Sequence, residues 1–110
     1  MRFLASEITR EQLFLKLHQE LPYNLTVENE SWQNKSDGSV KINQTIIVSK
    51  ESYKNMIIGQ KGEKIKEIGT KARINIEELL GVKIHLFLFV KVRKSWEENP
   101  ELYRSMGLKP

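Results

Sequence analysis

The sequence predicts a single α+β domain, in which three strands form a small sheet and helices cover it. Apolar and polar residues alternate over 40–49 and, more strongly, over 82–93, which is typical of strands. Between them, apolar residues recur every three or four positions over 62–80, which indicates an amphipathic helix. A chain of 110 residues, 39% of them hydrophobic, can form one core but not two. We therefore expect one domain over 1–110, without linkers or internal repeats.

The first predicted element is a helix over 4–21, with Ser6 as its N-cap and Pro22 enforcing its end. Its apolar residues cover more than half of the helix circumference, so we expect other elements to contact it from two sides. Polar residues interrupt the apolar band, and we expect them to form hydrogen bonds at its edges, because unpaired buried charges are costly. These polar residues are Glu7, Arg10, Glu11 and His18.

Two strands follow, over 24–32 and 40–49, and the polar turn residues of 34–39 predict that they form an antiparallel hairpin. The alternation of the second strand places Val40, Ile42, Ile46 and Val48 on one face, and Lys41, Asn43, Thr45 and Ser49 on the other.

A short helix ending at Ile58, capped by Ser49 or Ser52, and a longer helix over 62–80 come next, and Gly81 ends the longer one as a C′ residue. The strand over 82–93 follows, and a last short helix is predicted over 96–106. If the registers are right, an apolar cluster lies on the second sheet face, and either the C-terminal segment or a missing partner would cover it. This cluster consists of Trp32, Ile47, Phe87 and Phe89.

The chain carries a net charge of +4, and its basic residues are concentrated in two segments. Residues 50–73 contain seven Lys or Arg and three acidic residues, and residues 81–94 contain four Lys or Arg and no acidic residue. Such clustering is expected of a nucleic-acid-binding face, although a solvated charged surface is the alternative. The chain has no cysteine, its two histidines lie far apart, and no apolar run reaches the length of a membrane span. We therefore expect neither a metal site nor a transmembrane segment.

The segment Ile57-Ile58-Gly59-Gln60-Lys61-Gly62-Glu63-Lys64-Ile65 carries the main functional signal. Glycine allows a sharp turn and lets a ligand approach the backbone, and amides at the start of the following helix present positive partial charge. A phosphate can bind there. The G-x-x-G pattern is weak on its own, since it occurs by chance in many chains.

Together with the order of the elements, this segment resembles a type II K-homology (KH) domain, which is a fold that binds single-stranded RNA. The likeness extends over nearly the whole chain to the C-terminal part of the Era family of bacterial GTPases. It is carried by six segments in the expected order: 7–11 (EITRE), 20–23 (ELPY), 57–59 (IIG), 66–69 (KEIG), 72–73 (AR) and 90–96 (VKVRKSW).

The resemblance implies binding to the 3′ end of the small-subunit (16S) ribosomal RNA and a role in 30S subunit assembly. It also implies an N-terminal GTPase domain, but the chain contains neither a phosphate-binding loop nor an Asn-Lys-x-Asp motif. We therefore expect no enzymatic activity and no cofactor in this chain, with GTP and Mg²⁺ belonging to the missing domain. A cytoplasmic location is implied, and peripheral association of the full-length family with the inner membrane stays open.

In the KH mode the glycine loop contacts the backbone of about four nucleotides while their bases lie over an apolar groove. We expect Gly59, Gln60, Lys61 and Gly62 to contact the RNA backbone, with the amides of Gly62 and Glu63 as donors. The predicted groove floor is Ile57, Ile58, Ile65 and Ile68, bordered by the strand near Ile46–Val48, whose backbone would read base edges. The basic residues expected along the RNA are Lys54, Lys64, Lys66 and Arg73, extended by Lys91, Arg93 and Lys94.

Each assignment has an alternative from ordinary packing. The isoleucines can belong to the core, and Lys64 and Lys71 can be solvated residues that pair with Glu67 on the same helix. Two other functions also stay open: an enzyme, for which no convergent catalytic set is visible, and a KH-fold protein-interaction module that uses the face of Trp32, Phe87 and Phe89.

Overall fold

The computed structural model describes residues 1–94 and shows three helices and a three-stranded sheet. The elements, in chain order, are α1 (Arg2–Leu17), β1 (Thr26–Asn34), β2 (Val40–Val48), α2 (Glu51–Ile58), α3 (Glu63–Leu80) and β3 (Ile84–Val92). One-turn 3₁₀ helices follow α1 and α2, at His18–Glu20 and Gln60–Gly62. The α+β class is confirmed. The predicted helix over 96–106 lies outside the described residues.

The strands are arranged in the order β1-β2-β3, so β2 is the central strand. β1 pairs with β2 antiparallel, as the hairpin prediction requires, whereas β2 pairs with β3 in parallel. Parallel neighbours need a long crossover, and α2 and α3 supply it. Within residues 1–94, β3 is therefore an edge strand that pairs with β2 on one side only.

A register shift in β1 corrects the predicted position of Trp32. Pairing with β2 is irregular between Asn29 and Ser31, so the alternation of side chains changes phase there. Trp32 consequently pairs with Ile42 and packs against the core, on the helix-covered face. Its assignment to the second sheet face was wrong, because a simple period-2 pattern cannot locate a bulge.

The helices cover one face of the sheet and enclose two groups of buried residues. The larger group combines Leu13 and Leu17 of α1 with residues of the other elements, and the smaller group is built around Ala5 and Ile76. Val40, Ile42, Ile46 and Val48 are all buried, which confirms the predicted inner face of β2. Burial of these apolar side chains is the main stabilising contribution to the domain.

Helix α1 is shorter than predicted, and its contacts are different. It begins at Arg2 and ends at Leu17, because His18 adopts φ 51°, and Ser6 lies inside it, donating to the Phe3 carbonyl. Leu4 and Leu15 are exposed. The prediction that other elements contact α1 from two sides was therefore wrong at these two residues. The expected polar contacts are confirmed for Arg10, whose guanidinium donates to the carbonyls of Tyr23 and Leu25.

A buried polar chain separates the two groups of core residues. Gln44 lies on the inner face of β2 and is fully buried, although it is absent from the predicted apolar face. Its side-chain carbonyl accepts a hydrogen bond from Thr9 at 2.5 Å, and its amide donates to Asn29 at 3.0 Å. Asn29 in turn donates to the Arg2 carbonyl. The pairing satisfies buried polar groups that would otherwise be costly, and it links α1 to both strands of the hairpin.

Candidate nucleic-acid interface

The glycine turn, residues 59–62, joins α2 to α3 through two glycines with different requirements. Gly59 has φ 73° and ψ 178°, a conformation that is essentially restricted to glycine. A Cβ there would lie 2.7 Å from Cγ of Lys64, in the first turn of α3. Gly62 has φ 74° and ψ 15°, but an added Cβ would meet nothing within 4 Å. Gly59 is therefore required by packing and backbone conformation, and Gly62 by conformation alone.

The two residues between the glycines project into solvent. Gln60 and Lys61 are both exposed, and Lys61 adopts φ 56° and ψ 24°, in the left-handed region. This conformation costs a residue with a side chain roughly 1–2 kcal/mol. The turn therefore exposes an amide and an ammonium group to solvent between its two glycines.

The expected amide donors of the turn are already used within it. The amide of Gly62 donates to the Gly59 carbonyl at 3.2 Å, and that of Glu63 donates to the Gln60 carbonyl. A tight turn satisfies its own backbone groups in this way, so donation from these two amides to a phosphate stays a prediction. The positive end of the α3 dipole and the lysine side chains remain as the source of attraction for an anion.

A groove lies beside the turn, between α3 and the edge strand β3. Its volume is about 290 Å³, and it is lined by Ile65, Lys66, Gly69, Thr70, Leu86, Phe87 and Leu88. Gly69 determines its depth, because an added Cβ there would lie 3.5 Å from Cδ1 of Leu88. Because the groove lies against an edge strand, unpaired backbone groups of β3 are within reach of a ligand.

This position corrects the predicted groove floor and border. Ile57 and Ile68 are buried in the core, with 0% and 1% exposure, whereas Ile58 and Ile65 are half-buried. The predicted border near Ile46–Val48 belongs to the central strand, which pairs on both sides. Its backbone groups are used in the sheet and cannot read base edges, so that assignment was wrong. Sheet order, which the prediction did not include, makes β3 the bordering strand.

The predicted basic residues occupy different surroundings. Lys66 lines the groove and is exposed, while Lys54 on α2 and Lys64 are half-buried. Arg73 forms an ion pair with Glu77 at 2.9 Å, and Glu77 also accepts the backbone N–H of Ile84 at 2.9 Å. This backbone hydrogen bond, together with the nearby Arg73, lowers the pKa of Glu77 below its usual value. The charge of Arg73 is therefore partly compensated by the fold.

The opposite side of α3 faces α1 and is separate from the groove. Glu67 forms an ion pair with Lys16 of α1, and this hydrogen bond is the main reason that the pKa of Glu67 is lowered. The suggested pairing of Glu67 with Lys64 or Lys71 on its own helix was wrong, although both lysines lie close enough to act on Glu67 electrostatically. Gln12 and Leu15 of α1 line a second pocket on this side together with Lys16, Glu67 and Lys71.

Several groove residues could not be assigned from the sequence. The groove is also bordered by Gly69, Thr70, Leu86 and Leu88. Of these four, only Gly69 had a sequence feature that could have indicated a special position, because it is an isolated glycine within a helical pattern. Within residues 1–94, His, Asp and Glu form no group of three that could hold a metal ion. No helix in that same range is long and apolar enough to cross a membrane.

These features are those of a KH domain: a G-x-x-G turn between two helices, and a sheet in which the strands flanking the helices run parallel. The family model described as "KH domain" matches residues 20–97, which is more than half of the chain. The chain therefore belongs to the KH domain family.

Several GTPases named Era are relatives of this chain. The chain is 61% identical over 108 residues to GTPase Era of Rickettsia conorii, and 57% identical over 108 residues to GTPase Era of Mesorhizobium japonicum. These matches cover 98% of this chain but only 32% and 35% of those proteins. The chain thus spans about a third of the length of the curated relatives it matches, and the family match falls on the KH domain.

Two solved Era structures also match nearly the whole of this chain over only part of their own length. The crystal structure of a variant of Aquifex aeolicus Era bound to GDP·AlF₄⁻ is similar with a TM-score of 0.80 and 36% identity, over 99% of this chain and 37% of that one. Era in complex with MgGDPNP and nucleotides 1506–1542 of 16S ribosomal RNA gives the same values. The chain therefore has the type II KH fold of those proteins.

Proposed function

We propose that this chain binds single-stranded RNA, through the glycine turn and the groove between α3 and β3. The observation that carries the proposal is their contiguity: Ile65 and Lys66 of the groove follow the turn within the first turn of α3. A backbone held at the turn continues into an apolar groove that can accept bases, as in the KH mode of recognition. Lys61 and Lys66 supply positive charge at the start of this path.

The assignment of individual contacts is part of the proposal. Gly59, Gln60, Lys61 and Gly62 contact the RNA backbone, and the exposed parts of Ile58 and Ile65 contact bases. The free edge of β3 reads base edges, in place of β2. Lys54, Lys64 and Lys66 attract phosphates, while Arg73 contributes less because Glu77 already pairs with it.

We propose further that the RNA is the 3′ end of the small-subunit ribosomal RNA. Support comes from the solved Era complex, which contains nucleotides 1506–1542 of 16S ribosomal RNA and aligns with 99% of this chain. A role in 30S subunit assembly, together with a GTPase domain that binds GTP and Mg²⁺, is the corresponding proposal for the whole protein.

Substitution of the two exposed turn residues tests the main proposal. Gln60→Asp with Lys61→Asp places two negative charges at the turn, and aspartate tolerates the left-handed backbone of residue 61 better than most residues. We expect RNA affinity to fall at least about 100-fold, while the circular dichroism spectrum and the urea midpoint stay close to those of the original chain.

The matched control is Lys35→Asp with Ser36→Asp, which changes net charge equally in the β1–β2 turn, outside the groove. Affinity for a 3′-end oligonucleotide and for a scrambled one is measured by fluorescence anisotropy at two salt concentrations. If both double variants bind alike, the glycine turn is not the binding site. A steep salt dependence without preference between the oligonucleotides would contradict groove readout and leave only phosphate attraction.

A further inference from the structure

The sheet face opposite the helices carries two exposed phenylalanines on one strand. Phe87 and Phe89 are neighbours on the same side of β3, and they are 47% and 55% exposed. Their neighbours on β2 are Asn43, which is half-buried and pairs with Phe87, and Thr45, which is buried and pairs with Phe89. About half of each phenylalanine is therefore open to solvent. Contiguous exposed apolar surface of this kind is a candidate interaction site.

The charges around these rings are positive. Lys41 of β2 places its Nζ 5.5 Å from the ring centre of Phe87. Lys91 continues the same face of β3, and the exposed Arg93 follows the end of the strand. On this face β2 and β3 carry no acidic residue, and Glu28 lies on β1, across β2 from the rings. Aromatic rings flanked by basic side chains are typical of surfaces that bind single-stranded nucleic acids.

This face is continuous with the groove. Phe87 lines the groove together with Leu86 and Leu88, whose side chains point toward the helices. Only the free edge of β3 separates the groove from the two rings. A ligand that lies in the groove can reach Phe87 by crossing that edge.

We propose that single-stranded RNA leaving the groove crosses the edge of β3, and that two of its bases stack on Phe87 and Phe89. The inference rests on the proposed function and adds a second subsite to it. Residues two apart on a strand are separated by about 6.6 Å, so each ring can accept one base. Lys41 and Lys91 lie where they can neutralise the phosphates of these nucleotides. Stacking of bases on sheet aromatics is an established way for proteins to hold single strands.

The test uses the whole chain and oligonucleotides of two lengths from the small-subunit ribosomal RNA 3′ end. Four nucleotides occupy only the groove, whereas eight can also reach the rings. The variant Phe89→Leu, at a ring that does not line the groove, keeps an apolar surface but removes stacking at that position. We expect it to bind the four-nucleotide RNA like the original chain and the eight-nucleotide RNA at least about five-fold more weakly, the lower end of the effect of losing one stacked base.

The matched control is Phe89→Tyr, which retains the aromatic ring and should retain the affinity for eight nucleotides. Loss of binding in the Leu variant but not in the Tyr variant separates stacking from general apolar contact. Circular dichroism and the urea midpoint show that both variants are folded.

Failure of this inference is distinguishable from failure of the proposed function. If the Leu variant binds eight nucleotides as tightly as the original chain, while Gln60→Asp with Lys61→Asp abolishes binding, the second subsite is wrong. The groove would then stand as the RNA site without the aromatic face. If the original chain binds neither oligonucleotide, both proposals are overturned.

Discussion

The two glycines of the turn predict different losses of stability on substitution by alanine. Both have φ near 73°, but their surroundings differ, so the pair separates backbone strain from packing. At Gly59, alanine adopts a conformation that costs about 1–3 kcal/mol, and its Cβ overlaps Cγ of Lys64 at 2.7 Å. Overlaps of this kind cost a further 1–3 kcal/mol or so. We expect Gly59→Ala to lower the free energy of unfolding by about 4 kcal/mol.

At Gly62 the backbone contribution is present and the overlap is absent. The left-handed region costs alanine about 1–2 kcal/mol, and an added Cβ meets nothing within 4 Å. Gly62→Ala should therefore lose about 1–2 kcal/mol, and the two variants should differ by about 2–3 kcal/mol. For a domain whose total stability is about 5–15 kcal/mol, this difference is easily resolved.

Urea unfolding followed by circular dichroism measures both values, with the slope of each transition checked for two-state behaviour. Adding Lys64→Ala to Gly59→Ala removes Cγ but leaves Cβ, which would still lie 2.9 Å away, so only part of the loss should be recovered. Equal destabilisation by the two glycine variants, or no recovery in the double variant, would refute the packing explanation.

Three further changes have expected outcomes. Thr9→Val should cost about 1–3 kcal/mol in urea unfolding, because it leaves the buried carbonyl of Gln44 without its donor. Thr70→Val, which removes an exposed hydroxyl, is its control and should change stability by less than about 0.5 kcal/mol. Since the pKa of Glu77 is lowered in the folded state, its stabilisation is complete above the unfolded-state pKa and is lost as pH falls through the folded value. Glu77→Gln should therefore flatten the decline of the thermal midpoint below about pH 5, and an unchanged decline would contradict the assignment. Gly69→Ala should stabilise the domain by about 0.5–1 kcal/mol, because its Cβ makes only an ordinary contact, and a loss of stability would show that α3 cannot accept it.

Local pattern was sufficient to predict the elements and the glycine turn. The bounds of β2 and α3 lie within a residue or so of their predicted positions, because alternation, helical spacing and Gly81 are properties of neighbouring residues. The groove was not predictable in the same way. Its border depends on which strand occupies the centre of the sheet. Pairing between strands that are distant in sequence is not visible in any local sequence pattern. The predicted position of Trp32 was wrong for a related reason. A bulge changes the phase of the alternation without changing the composition of the strand.

Sheet order also explains why the turn, the groove and the exposed rings lie along one path. Because β2 and β3 are parallel neighbours, the chain between them must cross over one face of the sheet, and α2, the glycine turn and α3 form that crossover. The helix that returns to the edge strand packs along it, with Gly69 facing Leu88. The turn at the start of α3 then lies at one end of the groove, and the outer edge of β3 forms its border. A hairpin in place of the crossover would place no helix beside that edge, so the candidate interface is a consequence of parallel pairing.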